Sequence, residues 1–174
     1  MAHDRSDGSP DAHLTLAFSQ HVVRLQSVLE QTIAPALAEQ GLTPAELDVL
    51  ATLLSVGAPH QRRPKELANH LLLTTGGLSN VLRRLEARGL VSRVPDPADR
   101  RSHNVELTAS GLTTARAATK AATTALHRTL AVVPADTLEG TLRQLASVLG
   151  AVDGARSGLV VGRPAARAES AGGD

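Results

Sequence analysis

The chain has 174 residues, of which 42% are apolar, 1% aromatic and 20% charged, and it contains no cysteine. This apolar share is enough for a folded core, and the lack of cysteine excludes disulfide scaffolds, cysteine zinc fingers and thiol redox centres. The net charge of +1 is unevenly distributed, because residues 62–104 hold nine Lys/Arg and four Asp/Glu, a balance of +5, and the remainder holds a balance of −4. A basic segment between acidic ends indicates a local surface for a polyanion.

The apolar residues are of a kind that favours helices. There are 28 Ala and 27 Leu, and Phe18 is the single aromatic residue. Alanine and leucine are strong helix formers, whereas strands favour aromatic and β-branched side chains, so we predict a mainly α fold. No run approaches the roughly 18–20 apolar residues of a membrane span, and the polar residues 1–12 lack the apolar core of a signal peptide. We therefore expect a cytoplasmic protein with a flexible N-terminal arm.

The first predicted helix covers residues 13–37, where apolar residues recur at steps of three and four. Pro35 predicts a kink or a fraying end, and Gly41 a helix stop. Thr43 and Glu46 then have the spacing of a capping box, which predicts the start of a second helix.

A third, short helix is predicted to start at Pro64, and a fourth to run from about Thr75 to Arg88 and to end at Gly89. The fourth helix has two different faces. The inward face is apolar and consists of Leu78, Val81, Leu82 and Leu85. The outward face is polar and basic and consists of Gly76, Asn80 and Arg83, flanked by Gly77, Ser79 and Arg84.

After residue 89, the apolar residues change from the steps of three and four of a helix to the alternation of β-strands. Residues 90–94 and 103–107 can alternate as strands and enclose a loop rich in Pro and Asp, which predicts a β-hairpin with a basic tip. An Ala-rich helix is predicted over about residues 109–130 and a last helix over about residues 135–152. Residues 153–174 are expected to be disordered.

This order of elements is that of a winged helix-turn-helix, and its dimensions suit DNA. An α-helix about 10–12 Å wide fits the major groove of B-DNA, which is about 12 Å wide. The lack of side chains at Gly76 and Gly77 lets the free amides of the helix N-terminus approach a phosphate. Arg83 and Arg84 can neutralise phosphates, and Arg83 can form a bidentate contact with guanine. The side chains that can hydrogen-bond to phosphates or base edges are Thr74, Thr75, Ser79 and Asn80.

The hairpin predicts a second contact with DNA. A narrow wing can place an arginine in the minor groove, where negative potential is concentrated. Arg100 and Arg101 are both candidates, and the residues leave the choice between them open. Asp99 is expected to stabilise the tip by pairing with one of the two arginines.

Several segments resemble those of the MarR family of winged helix-turn-helix transcriptional regulators. Residues 42–50 (LTPAELDVL) resemble the second helix of the family, and residues 74–93 (TTGGLSNVLRRLEARGLVSR) resemble its recognition helix and the exit from it. Residues 96–101 (DPADRR) and 105–111 (VELTASG) resemble the wing and the start of the next helix. The resemblance extends over about residues 14–150.

The resemblance implies a DNA-binding regulator, more often a repressor than an activator, that binds a pseudo-palindromic operator as a homodimer. It also implies a small-molecule effector, often phenolic or anionic, between the dimerisation helices and the DNA-binding lobe. The absence of cysteine excludes the redox-sensing members, and the absence of tryptophan argues against urate, so the effector is unknown. The implied domains are an arm (1–12), a dimerisation helix (13–40), a winged-helix lobe (41–108), C-terminal dimerisation helices (109–152) and a tail (153–174).

Other functions have less support in the sequence. The seven histidines lack the His-x-x-x-His or Glu-x-x-His spacing of a metal site, so neither a metal nor another cofactor is expected. His21 and Arg24 lie on the first helix, where we expect an exposed face rather than an effector site. Neither a phosphate-binding glycine loop nor a nucleophile elbow is present, so an enzyme is not expected. The alternative function is a winged helix that binds only an acidic protein partner, which salt dependence would distinguish from DNA binding.

Overall fold

The structure is a computed structural model that describes residues 11–96, 99 and 102–161, with residues 155–161 described by their backbone only. It is mainly helical with one small antiparallel sheet, which confirms the predicted fold class. The chain forms two compact units, one that continues through Thr129 and one that begins at Leu130. The elements are α1 (Ala12–Ala38), α2 (Pro44–Ser55), β1 (Gln61–Arg62), α3 (Pro64–His70), α4 (Thr75–Ala87), β2 (Val91–Pro95), β3 (His103–Leu107), α5 (Ala109–Leu130) and α6 (Ala135–Val161).

Helix α1 begins where an aspartate caps it. The Asp11 carboxylate accepts a hydrogen bond from the Leu14 amide at 2.6 Å, which satisfies one of the free donors of the first turn. The predicted arm over residues 1–12 is therefore wrong for its last two residues, and residues 1–10 lie outside the described part of the chain. At the other end, α1 continues past Pro35 to Ala38, and Gly41 takes a left-handed φ of +61°.

Helix α2 begins with the predicted capping box. The Thr43 hydroxyl accepts a hydrogen bond from the Glu46 amide at 3.3 Å, and the Glu46 carboxylate accepts one from the Thr43 amide at 2.8 Å. Two backbone donors at the start of the helix are thereby satisfied. Glu46 is buried, so this cap forms part of the interior.

The core of the first unit determines the orientation of α4. The most deeply buried side chains include Leu50 and Leu53 on α2, Leu67 on α3, Leu85 on α4 and Val105 on β3. Each buried leucine contributes about 1.5–3 kcal/mol relative to an exposed one. The predicted inward face of α4 is buried as a whole, so the opposite face of this helix is exposed to solvent.

The sheet contains the predicted hairpin and one further strand. Strands β2 and β3 pair antiparallel, from Val91 opposite Leu107 to Pro95 opposite His103. Strand β1 pairs with the other edge of β3, which gives the order β1-β3-β2. The sequence prediction missed β1, because two residues are too few to show an alternating pattern.

Helix α5 is joined closely to the turn that follows α4. The Thr108 hydroxyl donates to the carbonyl oxygen of Gly89 at 2.7 Å and accepts from the Gly111 amide at 2.9 Å. A Cβ at Gly111 would lie 1.8 Å from the carbonyl oxygen of Leu90, so this site requires glycine.

The second unit contains α6, which is longer than the sequence analysis predicts. The helix continues to Val161, so the expectation of disorder from residue 153 onward is wrong for residues 153–161. Two features account for the extension. Residues 149, 152, 155 and 159 are all apolar and maintain steps of three and four, and extending an existing helix costs little per residue. Residues 162–174 lie outside the described part of the chain.

Candidate nucleic-acid interface

The N-terminus of α4 combines a side-chain cap with two glycines. The Thr74 hydroxyl accepts a hydrogen bond from the Gly77 amide at 3.0 Å. A Cβ at Gly77 would lie 3.1 Å from this hydroxyl oxygen, so close packing against the Thr74 side chain accounts for glycine at this site. A Cβ at Gly76 would meet no described atom within 4 Å, and Gly76 is exposed. The fold itself therefore gives no steric reason for glycine at residue 76.

The exposed face of α4 carries a hydrogen-bonded pair of polar side chains. Nη2 of Arg83 donates to Oδ1 of Asn80 at 2.9 Å, and both residues are exposed. They lie on the same face as Gly76, one and two turns further along the helix. Thr74, Thr75 and Ser79 are also exposed, so the structure brings the predicted polar residues of this helix to one open surface.

Arg84 makes a contact that the sequence analysis did not predict. Its Nε donates to Oε1 of Glu46 at 3.0 Å, which connects α4 with the cap of α2. Burial alone raises the pKa of Glu46, but hydrogen bonds from the Thr43 amide and from Arg84 outweigh that effect and lower the pKa below its ordinary value of 4.5. The side chain of Arg84 is 51% exposed, and its role toward a phosphate remains a prediction.

The base of the wing is anchored to α3. The Asp96 amide donates to the carbonyl oxygen of Ser102 at 3.0 Å, which closes the loop between β2 and β3. The Asp96 carboxylate is 4% exposed and forms an ion pair with Nε of Arg63, the residue that precedes α3, at 2.6 Å. This contact connects the hairpin with the helix-turn-helix through two side chains that are 33 residues apart in the sequence.

The tip of the wing is described in part. The Asp99 carboxylate accepts a hydrogen bond from the Ser102 hydroxyl at 2.7 Å, and the Asp99 carbonyl oxygen accepts one from the Ser102 amide at 2.8 Å. Arg100 and Arg101 lie outside the described residues. The predicted pairing of Asp99 with one of them, and the choice between the two arginines, therefore remain predictions.

Many of the arginines in the basic segment are used inside the fold. Within the described part of residues 62–104, the basic residues that form no ion pair and donate to no backbone carbonyl are Arg62, Lys65 and Arg83. The charge count of the sequence therefore overstates the charge that is available to a partner. The internal contacts join Arg63 to Asp96, Arg84 to Glu46, Arg93 to Glu86 (2.7 Å), and Arg88 to the carbonyl oxygens of Gly41 (2.7 Å) and Gln40 (3.0 Å).

The described residues offer neither a metal site nor a membrane span. They bring no three His, Asp or Glu side chains together in a group that could hold a metal ion. Within the same residues, no helix is long and apolar enough to cross a lipid bilayer. His21 lies with its Nδ1 2.7 Å from the carbonyl oxygen of Ala17, and both His21 and Arg24 are exposed on α1.

Comparisons with known proteins identify relatives of the region that contains these contacts. The model of the MarR family matches residues 40–102, from the end of α1 through the wing loop. The HTH-type transcriptional regulator PecS of Dickeya dadantii is 34% identical over 88 residues, which are 51% of this chain and 53% of PecS. The transcriptional activatory protein BadR of Rhodopseudomonas palustris is 31% identical over 108 residues, which are 61% of this chain and 62% of BadR. The chain thus spans between half and two thirds of the length of these relatives.

A solved structure extends the similarity over most of the fold. The transcriptional repressor CouR, bound to a 23-mer DNA duplex, has a TM-score of 0.68 and 29% sequence identity, with 81% of this chain and 98% of that chain covered. The region that the family model matches contains the capping box of α2, the glycines of α4 and strand β2, and it ends just before β3. The similarity to the MarR family therefore covers the helix-turn-helix and the first strand of the wing.

Proposed function

We propose that this protein is a DNA-binding transcriptional regulator that binds a pseudo-palindromic operator as a homodimer. The observation that carries the proposal is the exposed glycine at residue 76, for which the described fold has no steric need, beside the Asn80–Arg83 pair. Glycine is less favourable in a helix than alanine, and beside exposed polar and basic side chains a closely approaching partner gives a reason for it. PecS is named as a transcriptional regulator, and CouR as a transcriptional repressor bound to a DNA duplex. Both names support the same function.

In this proposal, α4 lies in the major groove with its N-terminus toward the DNA backbone. The free amides of the first turn and the positive end of the helix dipole bind a phosphate. Asn80 and Arg83 lie further along the same face and contact base edges, since asparagine pairs with adenine and arginine with guanine. The hydrogen bond between them restricts both side chains before DNA binds, which reduces the entropy that binding costs.

The wing adds a contact with the minor groove through Arg100 or Arg101. The Arg63–Asp96 ion pair supports this role, because it fixes the base of the loop from which both arginines extend. In the proposal, Asp99 orients one of the two arginines.

The proposed homodimer explains exposed apolar faces on two helices. Leu14, Leu16 and Val23 on α1 are each more than half exposed, and so are Leu142 and Leu149 on α6. Large apolar faces are rarely left in water by a soluble protein, so we assign residues 13–40 and 109–152 to dimerisation and residues 41–108 to DNA.

We propose repression as the direction of regulation, because it is the more frequent direction in the family that the chain resembles. By name, the relatives include both an activatory protein and a repressor. The direction is therefore tested by measuring expression from a promoter fusion in the presence and absence of the protein. We further propose that the protein acts in the cytoplasm, that it is not an enzyme, and that a small molecule releases it from DNA.

A mobility-shift titration on the DNA upstream of the protein's own gene, against random DNA of equal length, tests DNA binding. Arg83→Ala should weaken binding to the preferred sequence by about 1–3 kcal/mol if a base contact is lost. Arg116→Ala is the matched control, because it removes an exposed arginine of α5 outside the α4 surface. Because α5 lies in the segment assigned to dimerisation, sedimentation first establishes that this variant is a dimer. The double variant Arg100→Ala and Arg101→Ala should also weaken binding and leave the dimer intact.

The salt dependence distinguishes DNA binding from the alternative of an acidic protein partner. For DNA, the logarithm of the binding constant falls linearly with the logarithm of salt concentration, with a slope of about −0.9 for each phosphate contact. A protein that does not shift either DNA at low salt contradicts the proposed function. A variant series in which Arg83→Ala and Arg116→Ala weaken binding equally contradicts the proposed role of α4.

A further inference from the structure

The C-terminal end of α4 is joined to the turn between α1 and α2. Nη1 of Arg88 donates to the carbonyl oxygen of Gly41 at 2.7 Å, and Nη2 donates to the carbonyl oxygen of Gln40 at 3.0 Å. Both acceptors follow the end of α1, and Gly41 has a left-handed φ of +61°, a conformation that favours glycine. One guanidinium group thus connects two elements that are 47 residues apart in the sequence.

This contact differs in kind from the packing of α4 against the core. Apolar packing holds the inward face of the helix, but hydrophobic attraction has no direction of its own. Two hydrogen bonds from one planar guanidinium group fix direction as well as distance. Arg88 caps the C-terminal end of α4, and the ion pair of Arg84 with Glu46 joins the same half of the helix to the start of α2. The N-terminal half, which carries Gly76 and Asn80, lies beyond both contacts.

A small tilt of α4 about its C-terminal end moves its N-terminus by about the rise of one base pair. The helix has 13 residues, which at about 1.5 Å each give a length of about 20 Å. A tilt of about 10° over this length displaces the N-terminus by about 3.5 Å. Successive base pairs are about 3.4 Å apart, since about 10 base pairs span about 34 Å. The direction of α4 is therefore critical for a protein that reads two half-sites at once.

We propose that Arg88 sets the spacing between the two half-sites that the homodimer recognises. In a dimer held by α1, the turn after α1 has a fixed position relative to the partner, and Arg88 fixes α4 relative to that turn. The two copies of α4 are then a fixed distance apart, and half-sites at that distance are preferred. The inference rests on the proposed function and names what determines its choice of operator. Arg88 is a positioning residue, which acts through α4 and does not contact a base.

Mobility-shift titrations on operators of different spacing test this role. The preferred operator, obtained by selection from random DNA, is compared with the same half-sites moved one base pair apart or together. The unchanged protein should prefer its own spacing at least about tenfold, because the other spacings require deformation of the DNA. Arg88→Ala should lower this preference severalfold, and so should Arg88→Lys, because an ammonium group lacks the planar fork. A ratio of affinities does not depend on the fraction of protein that is folded.

The matched control is another arginine of the same helix. Arg83→Ala should weaken all spacings by the same factor, because Arg83 contacts Asn80 and not the turn after α1. Arg88→Ala with an unchanged spacing preference would overturn the proposal. Equal weakening at all spacings, with a salt slope that is smaller by about 0.9, would overturn it as well, because Arg88 would then contact a phosphate. If the preference falls only when Arg84→Ala is added to Arg88→Ala, the role assigned to Arg88 is wrong.

A measurement without DNA separates this proposal from the proposed function. Because the chain has no cysteine, Ser27→Cys on α1 and Ser79→Cys on α4 place spin labels at two exposed sites. Labelled chains diluted with unlabelled chains give the distance within one chain by pulsed electron paramagnetic resonance. Arg88→Ala should broaden the distance distribution, and an unchanged distribution would overturn the positioning role. If the protein binds no DNA, the proposed function and the role in spacing are both wrong, and this distribution alone decides whether Arg88 positions α4.

Discussion

Replacing Gly76 by alanine should increase the stability of the protein and weaken its binding to DNA. Gly76 lies in the first turn of α4, and the added methyl group meets no described atom within 4 Å. Stability and binding therefore change in opposite directions only if a partner outside the chain occupies the space beside this residue.

The size of each effect follows from where Gly76 lies. Glycine costs about 1 kcal/mol relative to alanine inside a helix, and less in the first turn, so we expect about 0.5 kcal/mol of added stability. On DNA, the methyl group separates the helix amides from the phosphate that they bind. Loss of that contact should cost about 1.4 kcal/mol, or about tenfold in affinity.

Two measurements and one control test this prediction. Urea unfolding at fixed protein concentration gives the stability of the dimer, and a mobility-shift titration gives the affinity for the operator. Gly154→Ala is the control, because Gly154 is also an exposed helical glycine without a described atom within 4 Å of an added Cβ, and it lies outside the segments assigned to DNA binding and dimerisation. If Gly76→Ala binds the operator as tightly as the unchanged protein, the proposed approach of a phosphate to α4 is wrong.

Two further predictions concern the contacts that position α4. Glu46→Ala should lower the free energy of unfolding by about 2 kcal/mol, because it removes a helix cap and an ion pair with a half-exposed arginine, and Arg84→Ala should lower it by about 0.5 kcal/mol. Because the folded protein lowers the pKa of Glu46, the stabilisation by its carboxylate is fully present above about pH 4.5 and is lost as the pH falls through the lowered value. In urea unfolding across this range, Glu46→Gln should lose less stability in acid than the unchanged protein does. Equal losses would contradict the prediction. Gly111→Ala should lower the free energy of unfolding by about 3 kcal/mol, since its Cβ would overlap the backbone of Leu90. A loss no greater than that of Gly154→Ala would show that the junction can adjust.

The elements that the sequence predicts well are those determined by neighbouring residues. The capping box needs two side chains three residues apart, and the inward face of α4 needs a repeat of 3.6 residues. Both patterns are complete within one helix, so no knowledge of the rest of the chain is required. The same holds for the hairpin, in which a loop rich in turn residues separates two alternating segments.

The features that the sequence does not predict depend on residues that are far apart in the chain. Strand β1 is a strand only because β3, more than 40 residues later, pairs with it. The partner of Arg84 is 38 residues away, so no local pattern connects it with Glu46. The end of α6 was misplaced for a different reason, because the glycines after residue 152 resemble a stop signal but do not interrupt the apolar steps.

The arginines show why net charge alone is a poor guide to the DNA-binding surface. The basic balance of residues 62–104 favours a polyanion, yet the ion pairs of Arg63, Arg84 and Arg93 use that charge to join the wing, α4 and α2. Each of these pairs contains a half-exposed arginine, which limits its energy, but it fixes the direction of an element that carries proposed contacts. Among the described residues, the basic side chain on the outer face of α4 that forms no ion pair is Arg83, which donates a hydrogen bond to the side-chain amide of Asn80. Affinity in this protein should therefore depend less on the number of charges than on how accurately the internal ion pairs position a small set of contacts.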